Sequence, residues 1–231
     1  MCAISKMREL PIDIKERFFK TIKGDISLDD FEKWVYESKN LETILDSNDY
    51  LDIISLDYKK SGAKYELYNI LKRLVDIGEF ETYKMLELLN QAKQKNERLP
   101  FILMEFYNLY CKGYNFLQDL GLGYGLMIEV PPSKYSKDNW NDLKEEEKQD
   151  LINSFYPEID EVIQRVIDWL TNKRIVLTGE QDEIGHYDYQ DFRTEEERKL
   201  LLWTPVTDGL KLNTKTQWTE NEKKPWWKIW E

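Results

Sequence analysis

Along the first two-thirds of the chain, apolar residues return every three or four positions, the spacing that gathers them on one face of an α-helix. Ile12, Ile14, Phe18, Phe19 and Ile22 form the first such stripe, which Gly24 ends. Ser27 is placed to cap the next helix, with Asp29 and Asp30 near the positive end of its dipole and Phe31, Trp34 and Val35 as its buried stripe. Asn40 and then Ser47 or Asn48 are candidate caps for two short helices carrying Leu41, Ile44, Leu45 and Leu51, Ile54, Leu56. Leu67, Ile70, Leu71 and Leu74 make a further face, and beyond Gly78 so do Phe80, Tyr83, Leu86 and Leu89. From Leu99 to Leu117 the chain is apolar almost all round, which predicts a helix buried on most sides.

The pattern changes at Gly121, Gly123 and Gly125. Leu126, Ile128 and Val130 alternate with Met127 and Glu129 before Pro131-Pro132, predicting a short strand over 126–130. Helices are expected over about 139–155 and 157–172, and a second strand over 174–178, where Arg174 to Thr178 is β-branched. Residues 179–194 read as polar and irregular, followed by a brief helix opened by Thr194 with Glu197 in capping-box position. The fold class is therefore mainly α: a multi-helix single domain over 1–231 with a small β element in its C-terminal third. Trp34, Leu71, Phe106, Leu109 and Trp169 are the expected core positions. Residues 204–231, rich in Trp, read as a C-terminal strap or tail.

Composition supports an ordinary core. The 231 residues are 41% hydrophobic and include eight Trp, fourteen Tyr and nine Phe, each ring able to bury roughly 150–250 Å². The net charge of −11 argues against sequence-independent nucleic-acid binding, which needs cations to displace phosphate counterions, and against docking on an anionic membrane. A basic protein is the complementary partner. That charge is polarised. Residues 179–197 hold eight acids against Arg193 alone, a local net of −7, whereas residues 1–24 carry a local net of +3.

Candidate chemistry is sparse. Cys2 and Cys111 form no disulfide framework, the start lacks the apolar run of a signal peptide, and no stretch is apolar enough to span a bilayer, so the expected compartment is the cytoplasm. His186 stands alone between Gly185 and Tyr187 in the most polar segment, so a nucleophile–histidine device and a zinc site both lack their parts. The glycines at 121, 123 and 125 have a helix before them and an expected strand after, the reverse of a phosphate loop; they are expected to stop a helix and allow close packing. No catalytic residue, metal ligand or cofactor is assigned. Asp182, Glu183, Asp188 and Asp191, with Tyr187 and Tyr189 between them, are the candidate partner-binding residues. A solvated acidic loop is the plainer account of the same residues.

The run Phe31-Glu32-Lys33-Trp34-Val35-Tyr36, followed by Leu41-Glu42 and Tyr50-Leu51, resembles the opening of small bacterial immunity proteins of polymorphic toxin systems. The resemblance covers about the first 80 residues, and Gly113 to Gly125 more loosely. It rests on packing positions, and no binding residue maps across. It implies an inhibitor that binds a cognate protein toxin and blocks its active site or entry groove. Taken with the acidic segment 179–197, the expectation is a cytoplasmic inhibitor that neutralises a toxin such as a basic nuclease through that surface. The alternative is an enzyme or small-ligand binder with a pocket between the helices and the short sheet.

Overall fold

Residues 10–199 are described by the computed structural model. The Trp-rich segment 204–231 and Cys2 lie outside them. Helical periodicity becomes helix α1 (Ile12–Lys23), α2 (Leu28–Glu37), the single turn α3 (Leu41–Ile44), α4 (Ser47–Ile54), α5 (Ala63–Leu74), α6 (Ile77–Ala92) and α7 (Leu99–Cys111). Gly24 closes α1 with φ 91°, its N–H donating to the carbonyls of Lys20 and Thr21. Ser27 caps α2 by accepting from the N–H of Asp30 at 3.1 Å. The cap of α4 is Asp46, one residue before the expected Ser47 and two before Asn48, accepting from the Asn48 N–H, and Asp76 caps α6 by accepting from the Glu79 N–H. Asn40 precedes α3 but makes no side-chain cap bond.

The helices enclose two hydrophobic clusters. One draws Phe18, Phe31, Leu41, Ile53, Leu67 and Leu71 from α1 to α5. The other draws Leu103 and Phe106 from α7 and packs them with the chain beyond. α6 serves both, giving Phe80 to the first and Met85 and Leu89 to the second. Each fully buried Phe or Leu contributes roughly 1.5–3 kcal/mol relative to exposure. Leu71, Phe106 and Trp169 are buried as expected, while Trp34 and Leu109 are only partly buried at the margins of the clusters.

After α7 the chain departs from expectation. A short 3-10 turn (Asn115–Leu117) leads into a π-helix over Asp119–Gly125, which continues directly as α8 (Leu126–Glu129). The glycines do not stop a helix, and no strand forms over 126–130. They do permit close packing: a Cβ on Gly121 would lie 2.8 Å from Cβ of Tyr110, and one on Gly125 would overlap the Leu103 carbonyl oxygen. The apparent alternation at Leu126 and Ile128 spans too few residues to distinguish a strand from a helical turn buried against α7.

The expected helix over 139–155 is a 3-10 turn (Trp140–Asp142) followed by α9 (Glu145–Asn153). α10 (Glu158–Thr171) buries Ile159, Val162, Ile163, Val166, Trp169 and Leu170 on one face. Strand β1 (Ile175–Gln181) then pairs antiparallel with β2 (Tyr187–Asp191), in register Ile175 to Asp191 and Leu177 to Tyr189. So the segment expected to be irregular contains the second strand. α11 (Glu195–Lys199) follows, with the expected capping box: Thr194 N–H donates to Glu197 at 2.7 Å and Glu197 N–H donates to Thr194 Oγ1 at 3.2 Å. The start of α6 lies against β1, where a Cβ on Gly78 would overlap the Leu177 carbonyl oxygen.

Candidate functional site

The β1–β2 hairpin carries all six candidate partner-binding residues, and the two-residue period of its strands sorts them onto different sides. Tyr187 and Tyr189 point inward. The Tyr187 ring stacks on Tyr114 with centroids 4.8 Å apart and planes 17° from parallel, and Tyr189 meets Phe116 edge-on at 5.1 Å. Burial raises the Tyr189 pKa against the opposing charge of Arg193. Asp188 lies between the two tyrosines in sequence and is exposed.

Asp182 and Glu183 occupy the exposed turn. One oxygen of Asp182 organises that turn, accepting from the N–H of Ile184 at 3.0 Å and of His186 at 2.8 Å. Gly185 supplies the φ of 84° that the reversal needs. Ile184 at the tip is 76% exposed. His186 is exposed, its ring Nδ1 3.6 Å from Asp182.

Asp191 has internal partners. It accepts from Arg193 through the backbone N–H at 3.0 Å, Nε at 3.0 Å and Nη2 at 2.9 Å, and lies 3.3 Å from Nε of Arg198. Burial opposes its charged form, but those bonds outweigh burial and lower its pKa. The Arg193 guanidinium sits 4.4 Å from the Trp169 ring centre; Arg165 sits 5.4 Å from that centre and pairs with Asp119 at 3.1 Å. This network joins β2, α10 and the π-helix. Sequence reasoning missed it, although two charges set in apolar runs signalled it: Asp119 between Leu117 and Leu120, and Arg165 between Ile163 and Val166.

The hairpin is thus fixed on one side and open on the other. Its second strand is tied further by the Tyr187 N–H, which donates to the Lys112 carbonyl at 2.7 Å. Beside it, a cleft of about 490 Å³ runs between α6 and α7 and includes Tyr114 and Tyr187 in its wall. Among the described residues, no His, Cys, Asp and Glu side chains group to hold a metal ion, and no helix is long and apolar enough to cross a membrane.

Compared with protein-family models, with curated proteins and with solved structures, the chain matches none.

Proposed function

We propose that this chain is an immunity-type inhibitor, which binds a cognate protein toxin through the turn and solvent face of the β1–β2 hairpin. The observation that carries this reading is the two-sidedness of the hairpin. Tyr187 and Tyr189 anchor its inner face, Asp191 clasps its end, and Asp182, Glu183 and Asp188 stand exposed beside Ile184. A loop held this way loses little conformational freedom on binding, so more of the contact energy appears as affinity. Carboxylates around an apolar tip suit a basic partner, with the acids steering encounter and Ile184 supplying buried contact. A nuclease is such a partner, because the surface that receives phosphates is the one these acids would cover. The resemblance of residues 31–51 to immunity proteins points the same way.

The test uses, in an inactive form, the product of any toxin gene found beside this one in the native genome; a neighbourhood of metabolic genes would favour the enzyme or small-ligand reading instead. Wild-type protein is expected to bind it with an association rate that falls as salt rises, because exposed charges are screened beyond about 8 Å at physiological ionic strength. Protein carrying Asp182→Lys, Glu183→Lys and Asp188→Lys together is expected to lose both binding and protection. Unchanged affinity in that variant, with its fold intact by circular dichroism, would remove the hairpin from the interface.

A further inference from the structure

The outer face of α5 is basic in an acidic protein. Residues 59–73 carry five bases and one acid, a local net of +4, in a chain whose net charge is −11. Lys64, Tyr68 and Lys72 follow one another at a spacing of four residues, with Tyr65 three before Tyr68, so all four share one stripe of the helix surface. All four are exposed, Tyr65 at 74%, and the Lys72 ammonium lies 5.8 Å from the centre of the Tyr68 ring. The nearest acids in sequence are engaged elsewhere: Glu66 with Lys60 at 2.6 Å and Asp52 with Arg73 at 2.7 Å. Lys64 and Lys72 make no ion pair among the described residues. Two exposed aromatics between unpaired cations form an unpartnered helix face of the kind that anchors protein contacts.

The acidic turn of the hairpin opens beside this stripe. A pocket of about 260 Å³ has Tyr68 and Lys72 of α5 on one wall and Gly179, Gln181 and Tyr187, at the root of the turn, on another. The two patches do not neutralise each other within the chain: Asp182 bonds within its own turn, and Glu183 and Asp188 make no ion pair among the described residues. Each patch nevertheless has what the other lacks. The turn offers carboxylates around the exposed Ile184, and the stripe offers ammonium groups around two exposed rings. Neighbouring patches of opposite sign are the condition for two-fold self-complementarity, because half a turn about an axis between them lays each on its counterpart in a second copy and closes both contacts at once.

We propose that two copies of this chain form a closed, salt-sensitive dimer in which the hairpin turn of each sits on the α5 stripe of the other. Ile184 lies against Tyr65 and Tyr68, and Asp182 and Glu183 face Lys64 and Lys72. Charge complementarity selects a second copy as the occupant, since one copy supplies both the acids that the stripe lacks and the cations that the turn lacks. The proposal goes beyond the inhibitor reading and does not depend on it. Where both hold, dimer and toxin compete for the same turn.

The experiment is sedimentation velocity of the full chain from about 10 μM to about 1 mM, the range of weak interfaces. Wild type is expected to pass from monomer to dimer and stop there, with a dissociation constant that rises about ten-fold as screening tightens between low and high salt. Asp182→Lys with Glu183→Lys should be monomeric throughout, and so should Lys64→Glu with Lys72→Glu, because like charges then meet at both contacts. An equimolar mixture of those two variants should dimerise again, and so should one chain carrying all four changes. A surface that is merely damaged regains nothing by either route, so restoration separates complementarity from misfolding. Tyr65→Ala should weaken the dimer at least about five-fold with unchanged circular dichroism. Wild type that stays monomeric at about 1 mM, assembly that grows past the dimer, or failure of both restorations would each overturn the proposal. Failure of a toxin to bind would overturn the inhibitor reading alone and leave the dimer standing.

Discussion

Arg165 on α10 donates from Nη2 to Asp119 Oδ2 at 3.1 Å, with both side chains less than one-fifth exposed, so a charged bond ties α10 to the start of the π-helix. Removing one member leaves the other charge poorly solvated, which costs more than the pair itself contributes. Asp119→Ala is expected to lower unfolding stability by about 2–4 kcal/mol. The double change Asp119→Leu with Arg165→Met should cost less than the two single changes added together. Urea unfolding of the four proteins in a double-mutant cycle measures that coupling. Strict additivity would mean the two residues act separately.

The contact between Gly78 and the Leu177 carbonyl makes a sharper test of how α6 seats the hairpin. No rotamer relieves a methyl group that overlaps backbone, so either α6 or β1 must move. Gly78→Ala is expected to cost about 2–3 kcal/mol although alanine is the better helix former. Gly185→Ala is the comparison. Its Cβ would meet nothing within 4 Å, and only its positive φ resists substitution, so about 1 kcal/mol is expected. Thermal unfolding of both variants decides it, and an equal loss would remove the packing argument.

Most helices were legible because their apolar stripes and caps are local: Phe18 and Phe19 with Gly24, or Ser27 with Phe31 and Val35, need no distant partner to be recognised. The second strand was hidden by charge. Tyr187, Tyr189 and Asp191 do alternate with Asp188 and Gln190, but the inward role of Asp191 depends on Arg193 and Arg198, which reach it only once the chain folds back. The π-helix was misread for the same reason. Gly121 and Gly125 have their meaning through Tyr110 and Leu103 on α7, and no spacing within residues 119–130 records that neighbour. Likewise the unpartnered hydroxyl of Tyr114 is a property of its surroundings rather than of the residue.

Burial of the phenols sets an alkaline limit on stability. Tyr124 and Tyr156 are pushed up to about 12, in both cases chiefly by burial, with nearby acids adding to it. In the unfolded chain these groups ionise near pH 10, while in the folded chain they stay protonated. The folded state then binds more protons, so stability is unaffected below about pH 10 and declines as pH rises through the interval from 10 to 12. Absorbance of tyrosinate near 295 nm should show a late step that coincides with loss of helical circular dichroism. Tyr124→Phe should move that loss to higher pH; an unchanged profile would show that this phenol does not control it.

On the proposed inhibitor reading, the inner face of the hairpin anchors and its turn recognises, and two substitutions distinguish the roles. Tyr189 is half-buried against Phe116, with Tyr114 6.1 Å from it, so Tyr189→Ala opens a void and is expected to cost about 3 kcal/mol of stability. Any loss of toxin binding in that variant should follow the loss of fold and recover at lower temperature, where the native state refills. Ile184, 76% exposed at the tip, touches little in the free protein, and Ile184→Ala should leave the unfolding midpoint within about 0.5 kcal/mol of wild type. In the complex, however, the tip would be buried, so Ile184→Ala should raise the dissociation rate about ten-fold while leaving the association rate and its salt dependence unchanged, because an apolar contact acts after encounter. Asp188→Lys should do the reverse, slowing association and flattening its dependence on salt. Surface-plasmon kinetics at two ionic strengths, alongside a melting curve for each variant, separate these outcomes. If Ile184→Ala left the dissociation rate untouched, the tip would lie outside the interface even where Asp188 lies within it.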